Sequence, residues 1–144
     1  MNEKVLKLLN EQINKEFYSA YLYLDFANYF AKEGLDGFEN WYRVQAKEEQ
    51  DHAMMFYQYL QNNGEDIVFE SIKKPDLEKD NHIMVLKKAF QHEKYITSSI
   101  NTIYAAAYVL NVKLFKDSLV KIIGDVFDFY DSIINLFGGQ CQII

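Results

Sequence analysis

The amino-acid sequence predicts an all-α protein, a four-helix bundle with one long crossover connection between its second and third helices. Three observations support this fold class. Apolar residues recur at helical spacing along nearly the whole chain. One proline and six glycines leave few breaks in 144 residues, and only one long polar segment interrupts the pattern. The length suits one ordinary domain, so residues 1–144 are expected to form a single folding unit.

The apolar pattern divides into four stretches, each followed by turn residues. Gly34, Asn63-Gly64, Asn111 and Gly138-Gly139 mark the predicted ends, and Asp36 is the predicted cap of the second helix. The predicted helices cover residues 3–33, 37–62, 81–110 and 112–137. Each is about 40 Å long at a rise of about 1.5 Å per residue. The first and last connections are short, so they join antiparallel neighbours, whereas the middle one is long enough to travel the length of the bundle.

Charge and composition exclude several classes of partner. The net charge of −6 argues against nucleic acid, which requires clustered basic residues, and it is compatible with cations. The single cysteine, Cys141, cannot form an internal disulfide. The N-terminal segment lacks the continuous apolar core of a signal peptide. No stretch approaches the roughly 18 apolar residues of a membrane span. The sequence therefore predicts a cytoplasmic protein that binds neither membrane nor nucleic acid.

Four polar residues interrupt the apolar stripes near the middle of three helices. Glu16 falls in the first stripe, Glu49 and His52 in the second, and Glu93 in the third. Three carboxylates at one height in a core would repel one another and lack solvation unless a cation neutralised them. Glutamate oxygens with one imidazole nitrogen suit iron, manganese or zinc. The four residues are therefore predicted metal ligands, the alternative being that Glu16 and Glu93 reach solvent at the rim.

These residues and their neighbours resemble the ferritin family, specifically its bacterial non-haem members. The resemblance covers residues 5–105 and is carried by LNEQINKEFYSAYLYL, KEEQDHAMMFYQYL and AFQHEKYITSSIN in the first three helices. It implies a ferritin-like bundle, a di-iron site for ferrous and ferric non-haem iron, and a homo-oligomeric 24-subunit cage. It also implies that Glu16, Glu49 and His52 hold a first iron and that Glu49 and Glu93 help to hold a second. Tyr23 corresponds to a family tyrosine that donates an electron or hydrogen-bonds a ligand.

The fourth helix departs from the family pattern. The family places a Gln and, three residues later, a Glu on its inner face, whereas this segment reads LVKIIGDVFDFYDSIINLF. The residues predicted to face inward are Ile123, Val126 or Phe127, and Tyr130. Asp125 and Asp128 have ligand spacing, but the register that turns them inward would also turn Lys121 and Ser132 toward the core. The second iron site is therefore expected to be degenerate.

Three interpretations of function follow. The leading one is an iron-binding and iron-storing cage protein with an impaired di-iron ferroxidase centre, whose oxidation of ferrous iron by dioxygen is slow. In the second, the protein is a fully active ferroxidase that completes its site with Asp125 and Asp128. In the third, it is a mainly structural cage subunit with little catalysis.

Overall fold

The structure is a computed structural model that describes residues 1–76, 78–113 and 116–136. Within these residues the regular elements are four α-helices and no strand. They are α1 (Glu3–Lys32), α2 (Asp36–Asn62), α3 (His82–Val109) and α4 (Lys116–Leu136). The prediction of an all-α four-helix bundle is confirmed. Residues 112 and 113 of the predicted fourth helix are not helical, and its residues 114, 115 and 137 lie outside the described ranges.

The ends of α1, α2 and α3 lie where turn residues predicted them, whereas Gly138-Gly139, the predicted end of the fourth helix, lies outside the described residues. Gly34 and Gly64 adopt φ values of 68° and 69°, in the left-handed region where glycine carries no steric penalty. After each glycine, the next backbone N–H donates to a carbonyl five residues earlier, a common way of closing a helix. Asn111 has a φ of 52° and ends the turn after α3 in the same way. The tight turn at Gly34 makes α1 and α2 antiparallel neighbours.

The predicted cap of α2 is wrong. The capping position is Leu35, whose side chain makes no capping hydrogen bond, and Asp36 is the first helical residue. An aspartate there still faces the positive end of the helix dipole, which explains why the residue type fits. The N-terminal caps of α1 and α3 use side-chain oxygens, since Asn2 accepts from Lys4 N in α1 and Asn81 accepts from Met84 N in α3.

The core consists of two apolar clusters on either side of a polar band. One cluster joins the first half of α1 to the last half of α2, and the other joins the last half of α1 to the first half of α2, with α3 and α4 contributing to both. Between the clusters lie the buried polar side chains, namely Gln12, Glu16, Ser19, Glu49, His52 and Glu93. Mid-helix polar residues therefore meet at one height, as the antiparallel arrangement predicts.

The inward face of α4 differs from the predicted one. Its buried residues are Leu119, Ile122, Val126, Phe129 and Ile133. Ile123 and Tyr130 are only partly buried, and Phe127 is 61% exposed. Apolar residues occupy both 122 and 123, so helical periodicity alone cannot choose between two rotations of this helix. Packing selects the observed rotation, because the Phe129 ring contacts the rings of Trp41 and Tyr23, with centroid distances of 5.0 Å and 5.8 Å.

The long connection lies along α1 and is attached to it by asparagines. Asn10 donates to Asp66 O and accepts from Val68 N, while Asn14 donates to Glu70 O and Ser71 O. Further along, Lys79 forms an ion pair with Asp25 at 2.5 Å. Helix α1 packs on both α2 and α3, and α3 packs on α4. None of the described helices is long and apolar enough to cross a membrane.

Candidate metal centre

The centre is built on α1 and α2. Glu16 comes from α1, and Glu49 and His52 come from successive turns of α2. Each of the three offers one ligand atom, and these atoms all lie within 4.8 Å of one another. All three side chains are buried. Because helical residues three apart share a face, Glu49 and His52 point together at the α1 residue opposite them.

A fourth predicted ligand, Glu93 on α3, is buried and lines a narrow cavity together with Glu49 and His52, but it does not belong to the group of three within 4.8 Å. Its Oε1 accepts a hydrogen bond from the Tyr23 hydroxyl. Its Oε2, like the Oε2 atoms of Glu16 and Glu49, is buried without a hydrogen-bond partner among the described residues. Glu49 Oε2 also lies 3.5 Å from His52 Nδ1, a contact too long for a strong hydrogen bond. Unpartnered buried acceptors are rare, and a cation between these oxygens would satisfy them.

Without a cation, burial of the three carboxyl groups disfavours their charged forms. Burial raises the pKa of Glu16 well above its usual range, and the neighbouring charge of Glu49 adds to the rise. Burial and the charge of Glu93 raise the pKa of Glu49 in the same way. For Glu93, burial raises the pKa to about 7, although the Tyr23 hydrogen bond opposes the rise. A positive ion among these oxygens would oppose all three rises in pKa, because an opposite charge favours the ionised form of each carboxyl.

Helix α4 fixes the orientation of the His52 ring. His52 Nε2 lies 2.9 Å from Asp125 Oδ2, and Lys121 Nζ lies 2.7 Å from the same oxygen. Burial alone would raise the pKa of Asp125, but hydrogen bonds from Lys121 and His52 outweigh it and lower the pKa. The charged carboxylate can only accept, so His52 carries its proton on Nε2 and keeps the Nδ1 lone pair for a metal.

At the position beside Glu49 and Glu93, most of the side-chain atoms that α4 contributes are carbon atoms. A cavity too narrow for a water molecule lies here, and α4 lines it with Asp125, Val126 and Phe129. The predicted inward position of Val126 is confirmed, whereas Ile123 does not line this cavity. Asp125 reaches the edge of the centre without the full rotation considered from the sequence.

Helix α4 is rotated to a position between the two considered from the sequence, as its outward-facing residues also show. Lys121 is exposed, Ser132 is half-buried, and Asp128 is exposed. An outer pocket of about 210 Å³ adjoins the narrow cavity and shares Gln45, Glu48, Asp125 and Phe129 with it; Asp128 and Ser132 complete its lining. We call this outer pocket the acidic vestibule, since it carries three carboxylates.

Tyr23 connects the carboxylates to the aromatic cluster. It is fully buried, stacks on Phe129, and lies 5.7 Å from Tyr42 between ring centroids. Burial, followed by the charges of Glu93 and Glu49, raises the pKa of Tyr23, so the phenol keeps its proton. The geometry makes Tyr23 a hydrogen-bond donor to Glu93.

Two polar residues of the band, Gln12 and Ser19, were not singled out from the sequence, and Gln12 is the one that contacts a predicted ligand. Gln12 is fully buried, and its Nε2 donates to Glu16 Oε1 at 2.8 Å. Its position four residues before Glu16, in the same stripe as Leu9 and Ile13, is the pattern that would have indicated it.

Comparison with known proteins agrees with this arrangement. The family model described as "Ferritin-like domain" matches residues 6–123. The bacterial non-heme ferritin of Campylobacter jejuni is 38% identical over 103 residues, which are 72% of this chain and 62% of that protein. A probable bacterial non-heme ferritin-like protein of Haemophilus influenzae is 35% identical over 108 residues, 75% of this chain and 66% of that one. The aligned part of this chain thus spans about three-fifths of the length of these relatives.

Solved structures share the fold over nearly the whole chain. An open-pore ferritin from the hyperthermophilic archaeon Archaeoglobus fulgidus has a TM-score of 0.86 and 30% identity, covering 99% of this chain and 92% of that one. Chlorobium tepidum ferritin has a TM-score of 0.87 and 25% identity, covering 99% and 90%. Family model, relatives and structures agree, and this chain belongs to the ferritin-like family.

Proposed function

We propose that this protein binds and stores iron as a homo-oligomeric, ferritin-like cage with an impaired di-iron ferroxidase centre. One observation carries the proposal: Glu16, Glu49 and His52 converge in the core, and one oxygen of each glutamate has no hydrogen-bond partner in the part of the chain that the structure describes. Two carboxylates and an imidazole suit ferrous iron, which is the cargo and substrate of this centre. Glu93 is the fourth proposed ligand and approaches from α3.

The impairment is proposed for the second iron position. Glu49 and Glu93 supply carboxylates there, whereas α4 contributes the carbon atoms of Val126 and Phe129 and a carboxylate, Asp125, that is hydrogen-bonded to His52 and Lys121. A hard cation loses its hydration in such a place and gains few ligands in return, so it should bind weakly. Oxidation of paired ferrous ions by dioxygen is then expected to be slow.

A fully active ferroxidase is the second candidate, and one observation favours it. Asp125 already lies at the edge of the centre and shares the acidic vestibule with Glu48 and Asp128. If Asp125 released His52 and Lys121, it would become a ligand of the second iron. The vestibule also supports a path by which ferrous ions reach Glu49, because its carboxylates attract cations toward the narrow cavity.

Tyr23 is proposed to position Glu93 through its hydrogen bond. Electron donation by Tyr23 stays a prediction. Electron paramagnetic resonance of samples frozen after oxygen exposure tests it, because a tyrosyl radical has a characteristic spectrum that Tyr23→Phe should remove.

Assembly into a cage, expected to hold 24 subunits, is proposed from the exposed surface and from the family. Large apolar side chains are exposed on all four helices, for example Tyr21 on α1, Val44 on α2, Tyr108 on α3 and Phe127 on α4. Apolar patches of this kind mark interfaces. Light scattering that gives the mass of a monomer or simple dimer at every concentration would contradict the cage.

Iron occupancy tests the centre itself. Crystals soaked anaerobically in ferrous iron should show one strong anomalous peak between Glu16, Glu49 and His52, with a weak or absent second peak. His52→Ala should remove the strong peak, whereas the control variant His82→Ala, at the exposed start of α3, should keep it. Two equally full peaks, together with rapid oxidation in stopped-flow measurements, would favour the fully active ferroxidase. If the strong peak persists in His52→Ala, the proposed ligand set is contradicted.

A further inference from the structure

A chain of three hydrogen bonds leads from the protein surface to Glu16. The half-buried Lys15 places Nζ 2.7 Å from Ser99 Oγ, on α3. Ser99 Oγ lies 2.7 Å from Gln12 Oε1, and Gln12 Nε2 lies 2.8 Å from Glu16 Oε1. The chain thus joins a lysine of α1 to a proposed ligand of α1 through one hydroxyl of α3.

The ammonium at the start fixes the direction of every bond. Lys15 can only donate, so Ser99 accepts from it and turns its own hydrogen toward Gln12. Gln12 then presents its carbonyl oxygen to Ser99 and its NH₂ group to Glu16. The opposite amide orientation would turn the NH₂ group of Gln12 toward Ser99, whose hydroxyl hydrogen needs an acceptor there. The amide of Gln12 therefore has one favoured orientation.

The chain also distinguishes the two oxygens of Glu16. Gln12 occupies Oε1, and Oε2 remains without a hydrogen-bond partner among the described residues. A side chain held at one oxygen presents the other in a fixed place, so less freedom is lost when a cation binds. The Lys15 ammonium also lies over the Tyr95 ring, 5.6 Å from its centroid, which helps to hold the start of the chain in place.

We propose that Gln12, oriented by Ser99 and Lys15, is a positioning residue that reserves Glu16 Oε2 for the metal. This inference rests on the proposed metal centre. It predicts that metal affinity depends on Ser99, a residue that itself touches no proposed ligand. Outer partners of this kind contribute about 10- to 100-fold in metal affinity.

Cobalt binding provides the test, since Co²⁺ is stable in air and its visible absorption reports the geometry of its ligands. Ser99→Ala should lower the Co²⁺ affinity of the assembled protein by about tenfold and change the shape of the visible band, and Gln12→Leu should do at least as much. Ser99→Thr keeps the hydroxyl and should restore both affinity and spectrum. Ser98→Ala, at the exposed neighbouring position, is the matched control and should behave as the parent protein.

The outcomes separate this inference from the proposed function. If His52→Ala abolishes Co²⁺ binding while Ser99→Ala and Gln12→Leu keep the parent affinity and spectrum, the positioning role is refuted and the centre stands. If His52→Ala leaves Co²⁺ binding intact, the proposed centre itself fails. Melting temperatures measured in chelator identify a purely structural effect of Ser99→Ala. A lower melting temperature with an unchanged cobalt spectrum would also refute the positioning role.

Discussion

Replacing Glu93 by Gln should make the metal-free protein more stable at high pH. Burial raises the pKa of this carboxyl from 4.5 to about 7 in the folded protein. Such a rise is worth about 3 kcal/mol of the free energy of unfolding. Between these two pH values the folded protein binds more protons than the unfolded chain. The contribution of Glu93 to stability is therefore fully present below its unfolded pKa and is lost as the pH rises through about 7.

The variant removes this loss, because glutamine stays neutral and its carbonyl oxygen can still accept from Tyr23. Relative to the parent, Glu93→Gln should gain about 2–3 kcal/mol in free energy of unfolding between pH 5 and pH 8. Comparing the two pH values cancels any constant cost of the buried amide. The assay is guanidinium denaturation in chelator, followed by near-ultraviolet circular dichroism at one protein concentration.

An exposed carboxylate supplies the control for this experiment. Glu70→Gln, in the long connection, should change the free energy of unfolding by less than about 0.5 kcal/mol at either pH. An equal effect of Glu93→Gln at pH 5 and pH 8 would refute the reasoning. It would mean that ionising Glu93 in the folded protein costs no more than ionising it in the unfolded chain.

Three further predictions concern α4 and the long connection. Asp125→Ala should lower Co²⁺ affinity by about 10- to 100-fold in an equilibrium titration, because His52 loses the carboxylate that orients its ring. Phe129→Glu should add a ligand beside the second iron position, so anomalous diffraction should show a fuller second peak and stopped-flow absorbance a faster initial oxidation. An unchanged second peak in the folded variant would show that ligand number does not limit this position. Asn14→Ala removes two hydrogen bonds to backbone carbonyls and should lower the free energy of unfolding by about 1–2 kcal/mol in denaturant titrations, and an unchanged midpoint would show that this attachment is dispensable.

The first half of the centre could be predicted because it depends only on helical geometry. Glu16, Glu49 and His52 each interrupt a clear apolar stripe at mid-helix, and a short turn makes their helices antiparallel. Residues at equal distances from that turn must then meet. The apolar residues around these polar positions still define the buried face of each helix, so the inward orientation of the polar side chains could be derived from spacing alone.

The α4 half could not be predicted in the same way. Apolar residues stand at both Ile122 and Ile123, so two rotations of α4 satisfy the periodicity equally well. The choice depends on how Phe129 packs between Tyr23 and Trp41, a contact between distant parts of the chain. The bond from Asp125 to His52 follows from this rotation and has no separate pattern in the sequence.

His92 illustrates the same limit on a smaller scale. Its position next to Glu93 lies off the inner face of α3, and the helical pattern therefore predicts a surface histidine. The structure places it half-buried with Nε2 2.7 Å from Ser19 Oγ, and burial lowers its pKa to about 4. The neighbouring rings of Tyr18 and Tyr95 cover it, and such covering depends on side-chain conformations that the sequence pattern does not contain.

The pairing of α1 with α2 has a consequence for the order of folding. Glu16, Glu49 and His52 lie on two helices that are adjacent in the chain, whereas Glu93 and Asp125 arrive with later segments. Contacts between adjacent helices form early, because little chain must be ordered to close them. We therefore expect the three-ligand cluster to exist in the folding transition state. A cation bound there would raise the refolding rate constant and leave the unfolding rate constant nearly unchanged.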